Sequence, residues 1–213
     1  MNTSLPTGNS FDVRIQEPNY LDGTHIPEQV SYFVLEAGTW QLDNGALLEV
    51  GTIESNGLVN GGSSFDTVDF DLEFASTPVI FSQVQTDNDA DFVRTRQRNS
   101  STTGFAVGME EEEANKNSGH GSETLGWLAM ETGSGQWDDF TYFADRTGDI
   151  VNHNWTSVEF DSLFAQQPQI MANISTYDGP DSAGLRYRNL DSTGVDIKVE
   201  EETSLDSEQQ FSL

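Results

Sequence analysis

The chain has 213 residues, enough for one large or two modest domains, and its 13 Phe, 4 Trp and 5 Tyr exclude a disordered polymer. Nine basic residues face 36 acidic ones, and the resulting formal charge of −27 repels phosphate backbones, which excludes nucleic acid as a partner. With no cysteine there are no disulfides and no thiolate chemistry, and no stretch is apolar enough for membrane insertion. The acidity itself fits a saline environment, carboxylate sites for Ca²⁺, or the solubility of an exposed protein; scarce lysine beside abundant Asp and Glu favours the saline reading.

Taken in chain order, residues 1–6 have neither a basic nor an apolar region of the kind a secretory signal needs. Phe11, Val13 and Ile15 alternate as a strand does, an acidic loop follows, and the run from Tyr32 to Leu35 is a second strand-length segment. Turn chemistry then recurs at close spacing, at Asp43–Gly45, Asn60–Gly62, Asp87–Asp89 and Asp178–Pro180. Between the turns lie short apolar runs at Val79–Val84 and Trp127–Met130, and alternating segments at Phe105–Met109 and Val195–Val199 that predict half-buried strands. No sustained helical period is present, so an all-β sandwich or barrel is expected.

A repeat organises the whole chain. Val68, Phe70, Phe74, Ala75, Pro78 and Ile80 recur at a shift of 90 as Val158, Phe160, Phe164, Ala165, Pro168 and Ile170. The same shift carries Arg96 onto Arg186, Arg98-Asn99 onto Arg188-Asn189, Thr103-Gly104 onto Thr193-Gly194, and Glu110–Glu112 onto Glu200–Glu202. A partial copy stands at the front: Phe11, Val13 and Ile15 match Phe105, Val107 and Met109, and His25, Glu28, Tyr32, Glu36 and Gly38 match His120, Glu123, Trp127, Glu131 and Gly133. The expected organisation is a terminal hairpin of a preceding unit over 1–37, a complete antiparallel β-sandwich over 38–131, and a second sandwich over 132–213. The closing strand of that second unit is expected to be missing, near Glu208–Leu213, or supplied by another chain.

The order of Phe70, Phe74, Pro78 and Ile80, an arginine-bearing strand, Thr103-Gly104-Phe105 and the Glu123–Met130 segment resembles the H-type lectin domain, the sandwich of snail agglutinins and discoidin-type lectins. The resemblance covers most of each unit. It implies galactose-type glycan binding through a middle-strand arginine and a His or Trp in the loop before the last strand. Arg96 stands at the arginine position, Arg186 is its repeat counterpart, and Arg98 and Arg188 neighbour them on the same strands. His120 falls in the appropriate loop, although that loop is longer and acidic here, and the second unit has no matching histidine.

On the residues alone, each candidate has a plainer reading. Arg94, Arg96 and Arg98 alternate and share one sheet face, where they could clamp sugar hydroxyls or simply neutralise nearby carboxylates. Asp87, Asp89 and Asp91, and Asp178 with Asp181, are candidate Ca²⁺ ligands, though none has the spacing of an EF-hand loop. One histidine plus one carboxylate is too few for zinc, so His25/Glu28 and His120/Glu123 read as repeated loop anchors. Trp40, Trp137 and Trp155 could stack on sugars or anchor cores, and Asn99, Asn154 and Asn173 open glycosylation-type triplets. No signature of a phosphate loop, a zinc protease or a serine hydrolase occurs.

The expectation is therefore a non-enzymatic extracellular, cell-surface or virion protein used in adhesion or glycan recognition, with Ca²⁺ as the one possible ion. The alternative is a structural subunit of a filament, sheath or fibre. There Tyr32, Phe33 and Leu35 of one copy would complete the last unit of the next, giving a homo-oligomer or head-to-tail polymer.

Overall fold

The computed structural model describes residues 10–30, 32–59, 64–115, 119–161 and 163–205. The N-terminal hexapeptide, the Asn60–Gly62 turn and the Glu208–Leu213 segment lie outside the described residues. The fold is all-β with antiparallel sheets. Its strands are β1 (Gly38–Gln41), β2 (Leu47–Ser55), β3 (Asp66–Asp69), β4 (Val79–Val84), β5 (Val93–Arg98), β6 (Gly104–Glu111), β7 (Glu123–Met130), β8 (Gly133–Trp137), β9 (Phe140–Ala144), β10 (Thr156–Glu159), β11 (Ala183–Arg188) and β12 (Gly194–Glu201). Among the described residues, the single helical element is a three-residue 3-10 turn, Glu113–Asn115.

In the first repeat two sheets face each other, one ordered β1-β2-β7-β4 and the other β3-β6-β5. Their inner side chains form one core: Val68, Phe105, Val107 and Met109 from the three-stranded sheet, and Ile80, Leu125, Trp127 and Ala129 from the four-stranded one, with Phe74 between them. Alternation along β6 and β7 produces this, because every second residue of a strand points to the same face. Phe70 contacts Phe74, Phe105 and Trp127, so the aromatic residues of the repeated motif are core anchors.

Backbone pairing follows the 90-residue shift. Val68 pairs with Phe105 and Val158 with Val195; Val93 pairs with Glu111 and Ala183 with Glu201. Asn99 and Asn189 both adopt positive φ, 54° and 53°, at the turn that closes the outer hairpin. Gly104 and Gly194 face the same steric demand, since a Cβ would fall 2.3 Å from the Val68 carbonyl and 2.5 Å from that of Val158.

The other sheet differs between the repeats. The β8–β9 hairpin stands where β1–β2 stands in the first, each opening on a glycine of positive φ, Gly38 and Gly133. Residues 169–174, the shifted counterpart of β4, carry no strand. In the first repeat, strand β4 is laddered only to β7. The second core is accordingly smaller, built on Phe160, Val195 and Ile197.

Burial departs from the expected half-buried pattern in one place. Strand β12 alternates as predicted, whereas β6 is buried at every position. The outer face of β6 and β5 is covered by the run from Gly57 to Val59 and by residues 174–182 of the second repeat.

Candidate functional site

The arginine ladder lies on this covered face. Period-two geometry puts Arg94, Arg96 and Arg98 together on edge strand β5. The Arg96 side chain is 2% exposed; its Nη1 donates to Glu110 Oε1 at 2.7 Å and to the Asp181 carbonyl at 3.4 Å. Its guanidinium lies 4.7 Å above the Tyr177 ring. Arg94 donates to Ser182 Oγ at 2.5 Å and to Glu202 at 3.3 Å, both in the second repeat. Arg98 stacks over Phe65 at 4.0 Å, and Phe65 meets Tyr177 edge-on. The Tyr177 hydroxyl donates to the Val59 carbonyl at 2.7 Å, and Gln97 donates to the carbonyls of Ile80 and Ile174.

These contacts make the ladder the junction between the repeats. Burial pushes the Glu110 carboxyl above the ordinary range, and the neighbouring Arg96 and Arg94 offset only part of that effect. A buried pair of this kind adds little over an apolar filling, yet breaking it leaves one charge stranded. The arginine at the resemblance's sugar-contacting position thus faces protein.

The second repeat holds the same residues in the open. Arg186 pairs with Glu200, and its side chain is 68% exposed. Arg188 donates to Asp196 at 3.2 Å and lies 4.2 Å above the Trp155 ring, the counterpart of Phe65. Hydrogen bonds from Lys198 and Arg186 hold Glu200 below the ordinary carboxylate range, and those from Ser157, Asn189 and Arg188 do the same for Asp196.

The acidic loop of the first repeat is organised by its own hydrogen bonds. Glu123, almost fully buried, accepts from Thr86 and from the amides of Asn88 and Asp89 at 2.8 and 2.9 Å. Asp89 accepts from the Gly121 amide, and that bond first among its causes lowers its pKa. Burial opposes charge on His120, but its bonds to the Gly121 and Asp91 carbonyls, with Asp89 and Glu123 nearby, outweigh it and raise the pKa. Both ring nitrogens face carbonyl oxygens, at 3.0 and 3.1 Å, an arrangement that only imidazolium satisfies as a double donor.

Asp87 pairs with Arg14, and Asp91 accepts from Asn19 at 2.5 Å, so the three aspartates of this loop have protein partners. Asp178 and Asp181 lie on the segment that covers the ladder. Among the described residues no group of three His, Asp or Glu side chains is placed to hold a metal ion. Tyr32 and Phe33 are 72% and 53% exposed, and their rings meet Phe11 and Trp137 edge-on; Leu35 is half-buried and lines a shallow hollow with Trp40, Leu48 and Trp137.

Sequence reasoning picked out the arginines but missed Tyr177, Gln97 and the N-terminal contacts Gln16 and Asn19. A signal for Tyr177 existed: it replaces Asp87 in a turn whose Thr86 and Asp91 recur as Thr176 and Asp181.

No family model matches the chain, and neither does any solved structure. Over 196 residues, 91% of the chain, it is 34% identical to halomucin of Haloquadratum walsbyi (strain DSM 16790 / HBSQ001). The chain spans about 2% of that protein's length.

Proposed function

We propose that the chain is a structural repeat segment of an extracellular or cell-surface protein in a saline environment, with no catalytic role. The observation that carries this is the junction: one repeat's arginine face is filled by the next repeat, a contact that further units could extend by the same stacking. The similarity to a small part of halomucin, a protein of great length whose name marks it as a mucin, supports an exposed setting for such a stack. The net charge of −27 supports the salt. Antibodies against the chain, applied to intact and to permeabilised cells of its source, test the location. Labelling of intact cells is expected; signal confined to permeabilised cells overturns the proposal.

A second reading, adhesion through glycans, is favoured by the open face of the second repeat, where Trp155 with Arg188 could stack on a sugar ring. Binding on a glycan array that Arg188→Ala abolishes would establish it; an array without signal at native salt removes it. Glycan contact by Arg96 would require the junction to open.

A further inference from the structure

The two junction partners have counterparts within the same chain, and those counterparts are occupied differently. In the first repeat the β5–β6 face is covered by residues 174–182. Its counterpart, the β11–β12 face carrying Arg186, Arg188 and Glu200, is not covered by any of the described residues. The covering segment in turn has a counterpart at residues 84–92, and there the contacts come from residues 14–19.

The equivalence rests on one shared hydrogen bond and one shared ring contact. Residues 11–19 match 105–113 at a shift of 94, which sets Asn19 at Glu113 and Gln16 at Glu110. The Asn19 amide donates to Glu112 at 3.0 Å; the Glu113 amide donates to Glu202, the shifted counterpart of Glu112, at 3.1 Å. The Asp91 and Asp181 carbonyls are both bonded, though by donors at different positions, Gln16 at the place of Glu110 and Arg96 on β5. The Phe11–Tyr32 edge contact likewise repeats Phe105–Trp127. Residues 11–19 therefore sit on the first repeat as β6 sits on the second.

We infer that the open β11–β12 face is a docking surface for the 86–91 loop of a second copy, in competition with that copy's own residues 14–19. Charge supports this occupant. Arg96 covers Tyr177, whose counterpart is Asp87, so Arg186 of one copy would meet Asp87 of the next and replace its present partner Arg14. Asp87 would meet a surface that holds Arg186, Arg188 and Lys198 against Glu200 and Asp196, an excess of one positive charge in an otherwise strongly acidic protein. The contact is heterologous, and it propagates a filament in the register that the internal junction already displays. The inference rests on the stacking in the proposed function but not on cellular location, so failure of either leaves the other standing.

The test uses the 213-residue protein carrying Arg14→Ala, Gln16→Ala and Asn19→Ala, followed by sedimentation velocity at the lowest salt that keeps the circular dichroism of the parent. The released variant is expected to associate with rising concentration. Adding Arg186→Asp, or separately Asp87→Arg, should weaken association roughly tenfold or more, and combining the two should restore it. If the triple variant loses its fold, Arg14→Ala alone, which removes one exposed ion pair, is expected to give the same rank order. A folded released variant that stays monomeric overturns the inference. So does association that Arg186→Asp leaves unchanged.

Discussion

Arg96→Ala and Arg186→Ala remove the same residue from the same place in two repeats, and they should differ sharply in cost. In the first repeat the change strands the Glu110 carboxylate, whose side chain is 2% exposed. The chain can escape by protonating Glu110, and that sets the scale. From an ordinary value of 4.5, protonation at about pH 7 costs at most roughly 3.4 kcal/mol at 1.36 kcal/mol per pH unit, because the raised pKa of the parent already carries part of that cost. This agrees with the ~3–5 kcal/mol typical when one partner of a buried pair is deleted. In the second repeat the Arg186–Glu200 pair is exposed, and its loss should cost about 0–1 kcal/mol.

Urea unfolding at constant salt reads the difference directly, with the lost energy appearing as a lower midpoint at similar slope. For a chain of this size ~3 kcal/mol corresponds to roughly 6–12 °C in Tm. The same argument fixes a pH dependence for the variant. Its penalty should shrink by about 1.36 kcal/mol for each unit below pH 7 and vanish near the ordinary range of a glutamate. Equal penalties for the two variants, or an Arg96→Ala penalty that does not move with pH, would refute the junction as the setting of Arg96.

Three further outcomes follow from the geometry. His120 has a raised pKa, so its contribution to stability is complete below about pH 6.5, its usual value, and is lost as pH rises through the folded value; thermal unfolding between pH 6 and pH 8 should show a fall that His120→Gln flattens. Gly104→Ala forces a Cβ to within 2.3 Å of the Val68 carbonyl oxygen, and overpacking of this kind should cost roughly 1–3 kcal/mol or more in urea. The charge of −27 makes folding salt-dependent, so Tm should climb steadily as ionic strength rises from about 0.1 M, where the Debye length is roughly 10 Å, to about 1 M, where it is roughly 3 Å; a flat Tm over that range counts against salt adaptation.

The strands, the core aromatics and the 90-residue register were legible because each depends on local alternation and on comparison of the chain with itself. Val68, Phe105 and Val107 declare their face by period, and Gly104 declares a close approach by recurring as Gly194 at the same crossing. The arginines were legible as a ladder on one face. What covers that face was not, because burial of an outer sheet face is decided by a neighbour rather than by the strand that carries it.

Arg96 with Glu110, and Arg186 with Glu200, make the point in its sharpest form. The residues are identical, their strands pair in the same register, and their electrostatic environments are opposite. The distinction comes from the cover: Tyr177, Asp181 and Ser182 lie over the face of Arg94 and Arg96, whereas Arg186 is exposed, and the counterpart of Tyr177 is Asp87, which pairs with Arg14. A tyrosine there suits an internal, permanent junction, since a ring under a guanidinium excludes water and needs no counter-ion. An aspartate there suits a junction that must exchange partners, because an exposed ion pair with Arg14 is worth little and can be traded for another arginine. The departures from the repeat in this turn, rather than the repeat itself, therefore distinguish the buried contact on the Arg96 face from the exposed ion pair at Arg14.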